Sequence, residues 1–311
     1  MGNRNLQAAK TNKNDEFYTQ LTDVAKELRH YKAHFKDKVV FCNCDDPTWS
    51  AFWKYFHLNF AELGLKKLIS THYDREEATY KMEYTGGDDN DIEVGIKTPL
   101  EGNGDFRNKE CLDLLDESDI VVTNPPFSLF REYVATLMEY QKKFLIIGNK
   151  NAITYKEFFP LLKNNEVWIG YTNVKEFLQP DGSVKKFGNI GWFTNLDIEK
   201  RHEKLILWKN YTPEEFPKYD NYDAINVNRV SKIPCDYDGI MGVPITFMDK
   251  YNPEQFEIIW QASGNTRACC PRIILYDELH YIQHSEDRGG CGVVNGKRVY
   301  SRILIRKKAG A

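Results

Sequence analysis

The clearest chemical signal in the chain is the tetrapeptide Asn124-Pro125-Pro126-Phe127. It follows an apolar stretch, residues 120–122, that is typical of a buried strand. Because a proline amide has no N–H, the carbonyl of Pro125 escapes the usual local bonding and can face a cleft beside the Asn124 side-chain oxygen. Two acceptors and an aromatic ring are suited to a planar group that carries an NH2. A bare Asn-Pro pair is also common in rigid turns, so the surrounding residues must decide between the two interpretations.

Alternating strand and helix patterns surround this motif over roughly 150 residues. Apolar runs predict the strands, and apolar residues at helical spacing predict the helices between them. Thr19 or Thr22 would cap the first helix, and Gly64 would end the second. Residues 79–98 alternate on both sides of a Gly/Asp turn, which predicts an inserted β-hairpin. The predicted strands are 38–44, 66–71, 120–124, 143–150 and 166–172, and the predicted helices are 21–35, 50–63, 109–117, 129–140 and 154–163.

This order of elements is typical of an α/β fold with a mostly parallel sheet and helices on both faces. Open sheets of this type bind ligands beyond the carboxyl ends of their strands. The side chains that come just after each strand are therefore the first candidates for a functional site. These candidates are Asp45, Asp46, Asp74, Asp105, Phe106 and Asn124 to Phe127.

The composition of the 311 residues is that of an ordinary soluble globular protein, with 41% hydrophobic and 28% charged residues. No apolar run approaches the ~20 residues that span a bilayer, and the N-terminus has no apolar signal-peptide core. Seven cysteines, among them the Cys42-x-Cys44 pair and adjacent Cys269-Cys270, lack the spacing of a zinc site or a disulfide framework. We therefore expect a cytoplasmic protein with reduced thiols and no metal.

The second half of the chain has a different character, with a Pro- and Tyr-rich loop at 211–237 and a hairpin turned at Asn295-Gly296. We predict a core domain at 1–175 and an extension at 176–311 that completes the sheet and supplies recognition loops. The net charge of -3 argues mildly against a nucleic-acid binder, but the C-terminal stretch 294–308 is basic. That stretch is either a solvated strand and tail or a phosphate-contacting edge. Candidates for DNA contacts in polar loops are Lys185, Lys186, Asn189, Asn226, Asn228, Arg229 and Lys232.

The residues around the tetrapeptide resemble the sequence motifs of a known enzyme family. Asp, three apolar residues and Thr-Asn-Pro-Pro-Phe are similar to motif IV of the amino-group methyltransferases that use S-adenosylmethionine, and Gly-Asp-Phe at 104–106 is similar to their motif III. A narrower resemblance is to the EcoRI-type adenine-specific DNA methyltransferases, a group that lacks the usual Gly-x-Gly turn after the first core strand. The segments that carry it are KNDEFYTQ (13–20), VVFCNCDDP (39–47), TNPPF (123–127) and VPITFMDKYNPEQFEI (243–258).

The resemblance implies a Rossmann-like methyltransferase fold and transfer of a methyl group from S-adenosylmethionine to the N6 amino group of a flipped adenine in double-stranded DNA. One of Asp45 and Asp46 would face the ammonium of the cofactor, Asp74 its ribose, and Asp105 with Phe106 its adenine. The residues that it implies are Asn124, Pro125, Pro126 and Phe127 for catalysis, and Phe17, Tyr18, Thr19, Asn43, Asp45, Asp46, Asp74, Asp105 and Phe106 for the cofactor.

Two other functions remain as alternatives at this stage. A protein-glutamine N5-methyltransferase shares the Asn-Pro-Pro-Phe motif, and a non-catalytic nucleic-acid-binding protein could retain the same fold. We expect a monomer that binds double-stranded DNA and no membrane. The sequence does not reveal the DNA target, nor whether the protein acts alone, marks DNA for regulation or protects it against a separate cognate restriction endonuclease.

Overall fold

The computed structural model describes residues 18–74, 78–179 and 182–310. Its strands are β1 (Tyr18–Thr19), β2 (Val39–Cys42), β3 (Lys67–Thr71), β4 (Tyr80–Tyr84), β5 (Ile96–Pro99), β6 (Ile120–Thr123), β7 (Lys143–Asn149), β8 (Trp168–Leu178), β9 (Val184–Thr194), β10 (Ile225–Asn226), β11 (Met241–Pro244), β12 (Phe256–Ala262), β13 (Val293–Val294), β14 (Lys297–Arg298) and β15 (Arg302–Lys307). Its α-helices are α1 (Leu21–Leu28), α2 (Lys32–Phe35), α3 (Ala51–Leu58), α4 (Phe60–Leu63), α5 (Lys109–Glu117), α6 (Phe130–Glu139), α7 (Phe159–Lys163) and α8 (Thr266–Cys269). A π-helix covers Ile273–Glu278, and 3₁₀ turns cover Phe127–Leu129, Lys150–Thr154, Glu199–His202, Val230–Lys232 and Ile245–Lys250.

Nine strands form one sheet in the order β1-β8-β9-β7-β6-β2-β3-β4-β5. The four central strands, β7, β6, β2 and β3, run parallel, and antiparallel strands extend the sheet on both sides. The chain moves from β2 to β3 in one direction and from β6 to β7 in the other, so right-handed crossovers put the connecting helices on opposite faces. The predicted α/β fold is confirmed. The reversal of direction between β6 and β2 is the switch point at which such sheets bind ligands.

Most of the predicted elements are present, but with different bounds. The helices predicted at 21–35 and 50–63 are each divided in two, the helix predicted at 154–163 is reduced to α7, and the strand predicted at 166–172 continues to Leu178 as β8. The predicted hairpin at 79–98 is formed by β4 and β5, which extend the sheet from β3. Gly64 ends α4 in the left-handed conformation, at φ 62°. The prediction that Thr19 or Thr22 caps α1 is wrong, because Gln20 is the N-cap and makes no side-chain capping bond. Thr19 is instead paired with Phe177 of β8 as part of β1.

The chain divides into two compact units. The first contains the described residues up to Lys150 together with Ile169–Leu196, and thus the nine-stranded sheet. The second contains Asn151–Trp168 and the residues from Asp197 onward, with a sheet in the order β10-β11-β15-β12 and the hairpin β13-β14. The predicted domain boundary after residue 175 falls inside β8, because β8 and β9 continue the large sheet. Within the ranges described, no helix is long and apolar enough to cross a membrane.

A buried carboxylate fastens α1 to β8 in the first unit. Glu27 is fully buried and accepts hydrogen bonds from the backbone N–H groups of Tyr171 and Thr172, both at 2.7 Å. The Thr172 hydroxyl donates to the same side chain at 2.7 Å, and the Tyr31 hydroxyl donates at 2.9 Å. These bonds compensate the desolvation of the carboxylate. They also hold α1, and β1 just before it, beside the strand that carries Phe177.

We predict that Glu27→Gln lowers the free energy of unfolding by about 2–3 kcal/mol, because an amide NH2 replaces an acceptor of charge-assisted hydrogen bonds. Urea unfolding followed by circular dichroism measures this change. Glu62→Gln is the matched control, since Glu62 lies exposed in an ion pair with Lys32 and should change stability by less than about 0.5 kcal/mol. Equal unfolding midpoints for the two variants would contradict the anchoring role of Glu27.

Candidate active site

The Asp45 carboxylate links the turn after β2 to the end of β6. Its Oδ2 accepts a hydrogen bond from the Thr123 hydroxyl at the end of β6, and its Oδ1 accepts from the Ser50 hydroxyl at 3.2 Å. The backbone N–H of Asn124 also donates to this carboxylate. The Thr123 hydroxyl contacts the carbonyl of Asn43 as well. We call these five residues the strand-end network, since they fix the entry to the Asn-Pro-Pro-Phe motif relative to β2 and α3.

Burial raises the pKa of Asp45 from an ordinary value near 3.8 to about 7. The hydrogen bonds from Thr123, Ser50 and the N–H of Asn124 oppose that rise because they stabilise the ionised form. The neighbouring charge of Asp46 raises the pKa slightly further. The strand-end network is therefore built on an acid that is poised near neutral pH.

Asp46 has the opposite electrostatic character. Although its burial disfavours ionisation, hydrogen bonds from His72, Thr48 and Tyr80 hold the pKa of Asp46 well below its ordinary value. The His72 Nδ1 lies 3.0 Å from Oδ2, and the Tyr80 hydroxyl lies 2.8 Å from Oδ1. Asp46 is thus a fixed negative charge at the carboxyl edge of the sheet, next to an acid whose charge depends on pH.

The turn after β2 explains how the chain manages without a Gly-x-Gly motif. Cys44 itself adopts the left-handed conformation, at φ 63°, which glycine would adopt at lower cost. Its backbone N–H donates to the Thr71 hydroxyl at 3.3 Å, and that hydroxyl donates to Asn43 Oδ1 at 3.0 Å. These bonds to the end of β3 hold the strained turn in place. Asn43 is nearly fully buried and ties β2 to β3.

The Gly-Asp-Phe loop packs directly on the end of β3. Gly104 has φ 73°, and a Cβ atom at this position would lie 2.3 Å from the carbonyl oxygen of His72. Only glycine fits both constraints. The backbone N–H of Asp74 donates to the carbonyl of Asn103 at 3.2 Å. The structure therefore brings the loop of Asp105 against the segment of Asp74, as the sequence analysis requires.

Asp105 and Phe106 differ in how they are held. Arg107 binds the Asp105 carboxylate through two nitrogens, at 2.8 Å and 2.6 Å. A carboxylate has lone pairs for further donors, so Asp105 can still accept hydrogen bonds from another group. Phe106 is buried, and its ring meets the ring of Tyr133 edge-on at 4.9 Å. Its backbone N–H reaches the sulfur of Cys44, which links this loop to the end of β2. Phe106 therefore packs within the protein and does not offer an exposed ring surface.

The N-terminal segment lies over the turn after β2. The ring of Tyr18 is 3.8 Å from the ring of Trp49, which follows that turn and is partly exposed. The Thr19 hydroxyl is buried and has no hydrogen-bond partner among the residues that the structure describes. Buried hydroxyls normally have a partner, so this one is suited to a bound ligand or water. Phe17, also predicted for the cofactor, lies outside the described residues.

The catalytic candidates stand at the switch point between β6 and β2. The side-chain oxygen of Asn124 and the ring of Pro125 are buried, and Pro126 leads into the 3₁₀ turn that begins at Phe127. The Phe127 ring is half-buried and contacts two further phenylalanine rings on the β8-β9 hairpin. The structure thus brings together the residues after β2, β3 and β6, the Gly-Asp-Phe loop and the N-terminal segment.

Three further residues lie at this edge of the sheet that the sequence patterns did not single out. Lys150 directly follows β7 and is nearly buried, and the rule of examining the residue after each strand would have found it. Phe177 and Phe187 contact Phe127 from β8 and β9. Their proximity depends on the position of β8 and β9 next to β7 in the sheet, which is set by pairing between residues that are distant in the chain.

The predicted DNA-contacting side chains are not equally available. Lys186 forms an ion pair with Glu176 at 3.0 Å, and Lys232 forms one with Glu215 at 2.7 Å. Asn226 is buried, and its side-chain oxygen accepts a hydrogen bond from a tyrosine hydroxyl. Asn226 thus has a structural role within the second unit.

The basic C-terminal stretch is also partly neutralised within the second unit. Arg306 lies 2.9 Å from Glu278, and Lys307 lies 3.4 Å from Asp238. The two residues of β14, in contrast, are exposed beside the turn of the β13-β14 hairpin. This hairpin tip is the part of the stretch best suited to contact a phosphate backbone.

A doubly wound sheet with carboxylates after β2 and β3 and Asn-Pro-Pro-Phe after β6 defines an amino-group methyltransferase. A family model described as the adenine-specific methyltransferase EcoRI matches residues 5–308, and the chain belongs to that family. It is therefore an adenine-specific DNA methyltransferase with the fold of S-adenosylmethionine-dependent methyltransferases.

Individual relatives are similar over nearly their whole length. The type II methyltransferase M.EcoRI of Escherichia coli is 46% identical, with 98% of this chain and 97% of that protein covered. The type II methyltransferase M.MpnI of Mycoplasma pneumoniae is 38% identical, with 96% and 97% covered. The type II methyltransferase M.MgeORF184P of Mycoplasma genitalium is 36% identical, with 96% and 98% covered. No solved structure matches the chain.

We predict a pH dependence of stability that depends on Asp45. Its folded-state pKa of about 7 lies above its unfolded value, so protonated Asp45 favours the fold. This contribution is complete below about pH 4 and is lost as the pH rises through 7. Asp45→Asn cannot ionise. The free energy of unfolding of the wild type, minus that of the variant, should therefore fall between these pH values with a slope of up to about 1.4 kcal/mol per pH unit.

Chemical unfolding at a series of pH values from 4 to 8 measures this difference. A difference that stays constant over the range would contradict the assignment of Asp45 as a buried acid poised near neutral pH.

Proposed function

We propose that the protein transfers a methyl group from S-adenosylmethionine to the N6 amino group of an adenine flipped out of a specific sequence in double-stranded DNA. The observation that carries the proposal is the position of Asn124-Pro125-Pro126-Phe127 at the switch point, held there by the strand-end network. The family assignment supports adenine as the base. It also disfavours the glutamine methyltransferase and the non-catalytic binding protein as alternatives.

The chemistry of the strand-end residues fits S-adenosylmethionine, which when bound supplies a methyl group activated on a sulfonium sulfur. Asp74, in the segment after β3, would accept from the ribose hydroxyls. Asp105, beside buried Phe106, would accept from the adenine amino group. Asp46, a fixed negative charge, would face the ammonium. The buried hydroxyl of Thr19 supports the assignment of Phe17, Tyr18 and Thr19 to the same site.

On the substrate side, Asn124 and Pro125 would act as acceptors. The adenine amino lone pair is delocalised into the ring, so this nitrogen is a weak nucleophile. Hydrogen bonds from the amino group to the Asn124 oxygen and the Pro125 carbonyl would favour a pyramidal nitrogen and orient its lone pair for direct attack. Phe127 would stack on the base. A base within a duplex cannot reach such a site, so the adenine must flip, at a cost of a few kcal/mol.

The roles of the remaining chain follow from the same proposal. Residues 176–311 would contribute DNA recognition, in which the exposed cations of β14 are candidates for phosphate contacts. Arg and Asn side chains, such as Arg229 and Asn228, are suited to bidentate contacts with bases. We propose that the protein works as a monomer and that a cognate restriction endonuclease, where one exists, acts separately on the same DNA.

Methyl transfer from labelled S-adenosylmethionine to unmethylated genomic DNA tests this function. Mass spectrometry identifies the modified base, and sequencing identifies its context. We expect N6-methyladenine in one short motif. Label in a glutamine-containing peptide, or no label in DNA despite measurable cofactor binding, would overturn the proposal.

We predict that Asn124→Ala reduces the rate of methyl transfer by at least about 10²–10³-fold, because it removes a positioned acceptor from the reacting amino group. The affinity for S-adenosylmethionine, measured by calorimetry, should stay close to that of the wild type. Asn90→Ala is the control, since Asn90 is exposed in the loop between β4 and β5. An active Asn124→Ala protein would refute the catalytic assignment.

A further inference from the structure

The hairpin of β4 and β5 begins at the carboxyl end of β3, where residues assigned to the cofactor lie. β4 pairs antiparallel with β3, and Thr71, the last residue of β3, pairs with Lys81. The backbone N–H of His72 then donates to the carbonyl of Tyr80 at 2.9 Å. The first side chain of β4 therefore stands beside the residues that follow β3.

Tyr80 uses this position to bind Asp46. Its hydroxyl donates to Oδ1 of Asp46 at 2.8 Å, and both residues are buried, each with 8% of its surface exposed. Burial and the adjacent carboxylate raise the pKa of Tyr80, so the hydroxyl stays protonated and acts as a donor. The Nζ atom of Lys97 on β5 lies 3.6 Å from the centroid of the Tyr80 ring and adds a cation–π contact. Tyr80 thus spans the end of β3, which separates β2 from β4 in the sheet.

The two oxygens of the Asp46 carboxylate are held differently. Oδ1 accepts from the backbone N–H of Thr48 at 2.9 Å, from the Thr48 hydroxyl at 2.8 Å and from Tyr80. Oδ2 lies 3.0 Å from Nδ1 of His72. Three donors saturate Oδ1, whereas an oxygen with one such donor has a second lone pair for a cation. The donors around Asp46 therefore fix which oxygen can receive a further positive group.

Helix α3 holds the hairpin in this place. The Nε1–H of Trp53 donates to the carbonyl of Ile92 at 2.9 Å, and Nε2 of His57 lies 2.9 Å from the carbonyl oxygen of Val94. Both carbonyls belong to the connection between β4 and β5. The same helix begins shortly after Asp46, so the turn and the hairpin share one rigid support.

We propose that the β4-β5 hairpin is part of the cofactor site, with Tyr80 as a positioning residue that keeps Oδ2 of Asp46 available to the ammonium group of S-adenosylmethionine. Tyr80 acts through Asp46 and does not itself contact the cofactor. This inference rests on the proposed function, since it assumes that Asp46 faces that ammonium.

The loss of the Tyr80 hydroxyl has a defined consequence under this proposal. In Tyr80→Phe the ring remains, but Oδ1 loses one of its three donors and the carboxylate can rotate away from the ammonium. A ligand with the ammonium should bind more weakly, while a ligand without it should be unaffected. A hydroxyl that only stabilises the hairpin would affect both ligands equally.

The experiment compares S-adenosylhomocysteine with its deaminated analogue, in which hydrogen replaces the ammonium. Competition with labelled S-adenosylmethionine on the full chain gives both dissociation constants, including weak ones. We expect Tyr80→Phe to raise the Kd of S-adenosylhomocysteine about fivefold or more, as for the loss of one hydrogen bond to a charged group. The Kd of the deaminated analogue should change by less than about twofold.

Tyr84→Phe is the matched control. Tyr84 lies on the same strand, and its hydroxyl also donates to an aspartate, Asp89, at 2.6 Å in the connection to β5. This variant should bind both ligands as the wild type does. Thermal unfolding of both variants confirms that the comparison is made between folded proteins.

Asp46→Asn tests whether Tyr80 acts through this carboxylate. Asp46→Asn alone should remove most of the preference for S-adenosylhomocysteine over its analogue. Adding Tyr80→Phe to Asp46→Asn should then change the ratio of the two dissociation constants no further.

Three results would overturn the inference while the proposed function stands, provided that the wild type methylates DNA. These are an unchanged ratio in Tyr80→Phe, an unchanged ratio in Asp46→Asn, and an additive effect of the two substitutions on the ratio. If the wild type binds no S-adenosylmethionine and methylates no DNA, the proposed function fails, and this inference fails with it.

Discussion

The buried carboxylate of Asp45 is the constraint on which the arrangement of the candidate active site depends. It accepts hydrogen bonds from Thr123 and Ser50 and from the N–H of Asn124, and so joins the turn after β2, the start of α3 and the end of β6. The Asn-Pro-Pro-Phe segment forms no helix or strand before Phe127, so its direction is set by how it leaves β6. The side chain of Asp45, which follows β2, thus fixes the position of Asn124, which follows β6.

Each element near this network adds a further restraint. Left-handed Cys44 is held by hydrogen bonds to the end of β3, and Gly104 allows the Gly-Asp-Phe loop to approach the same strand. Glu27 fixes α1 to β8, and β8 pairs with the segment that carries Thr19. Residues from distant parts of the first unit are therefore positioned by buried hydrogen bonds and not by loop sequence alone. Such preorganisation is what orientation of a weak nucleophile requires.

Much of this arrangement followed from the sequence because the responsible signals are local. The apolar strands, the ordering of strands and helices, the turn at Gly64 and the hairpin at Asn295-Gly296 all depend on residues close in the chain. The rule that ligands bind at the carboxyl ends of strands then selected Asp74 and Asp105, whose segments the structure brings together. Errors arose where long-range pairing competes with a local preference, as when β1 pairing prevents Thr19 from capping α1.

The sequence by itself determined the class of sheet, the edge of the sheet at which the candidate site lies, and the residue types of the Asn-Pro-Pro-Phe motif. Only the tertiary structure decided which charges are neutralised, since Arg306 and Lys307 form ion pairs with acidic residues that are far away in the chain. It also decided that Asp45 and Asp46 differ, because burial raises the pKa of one while donors around the other lower it. The contact of Phe187 with Phe127 likewise depends on the length by which β9 exceeds β7. Local patterns encode backbone conformation and burial, whereas partners and electrostatic environment depend on residues that only folding brings together.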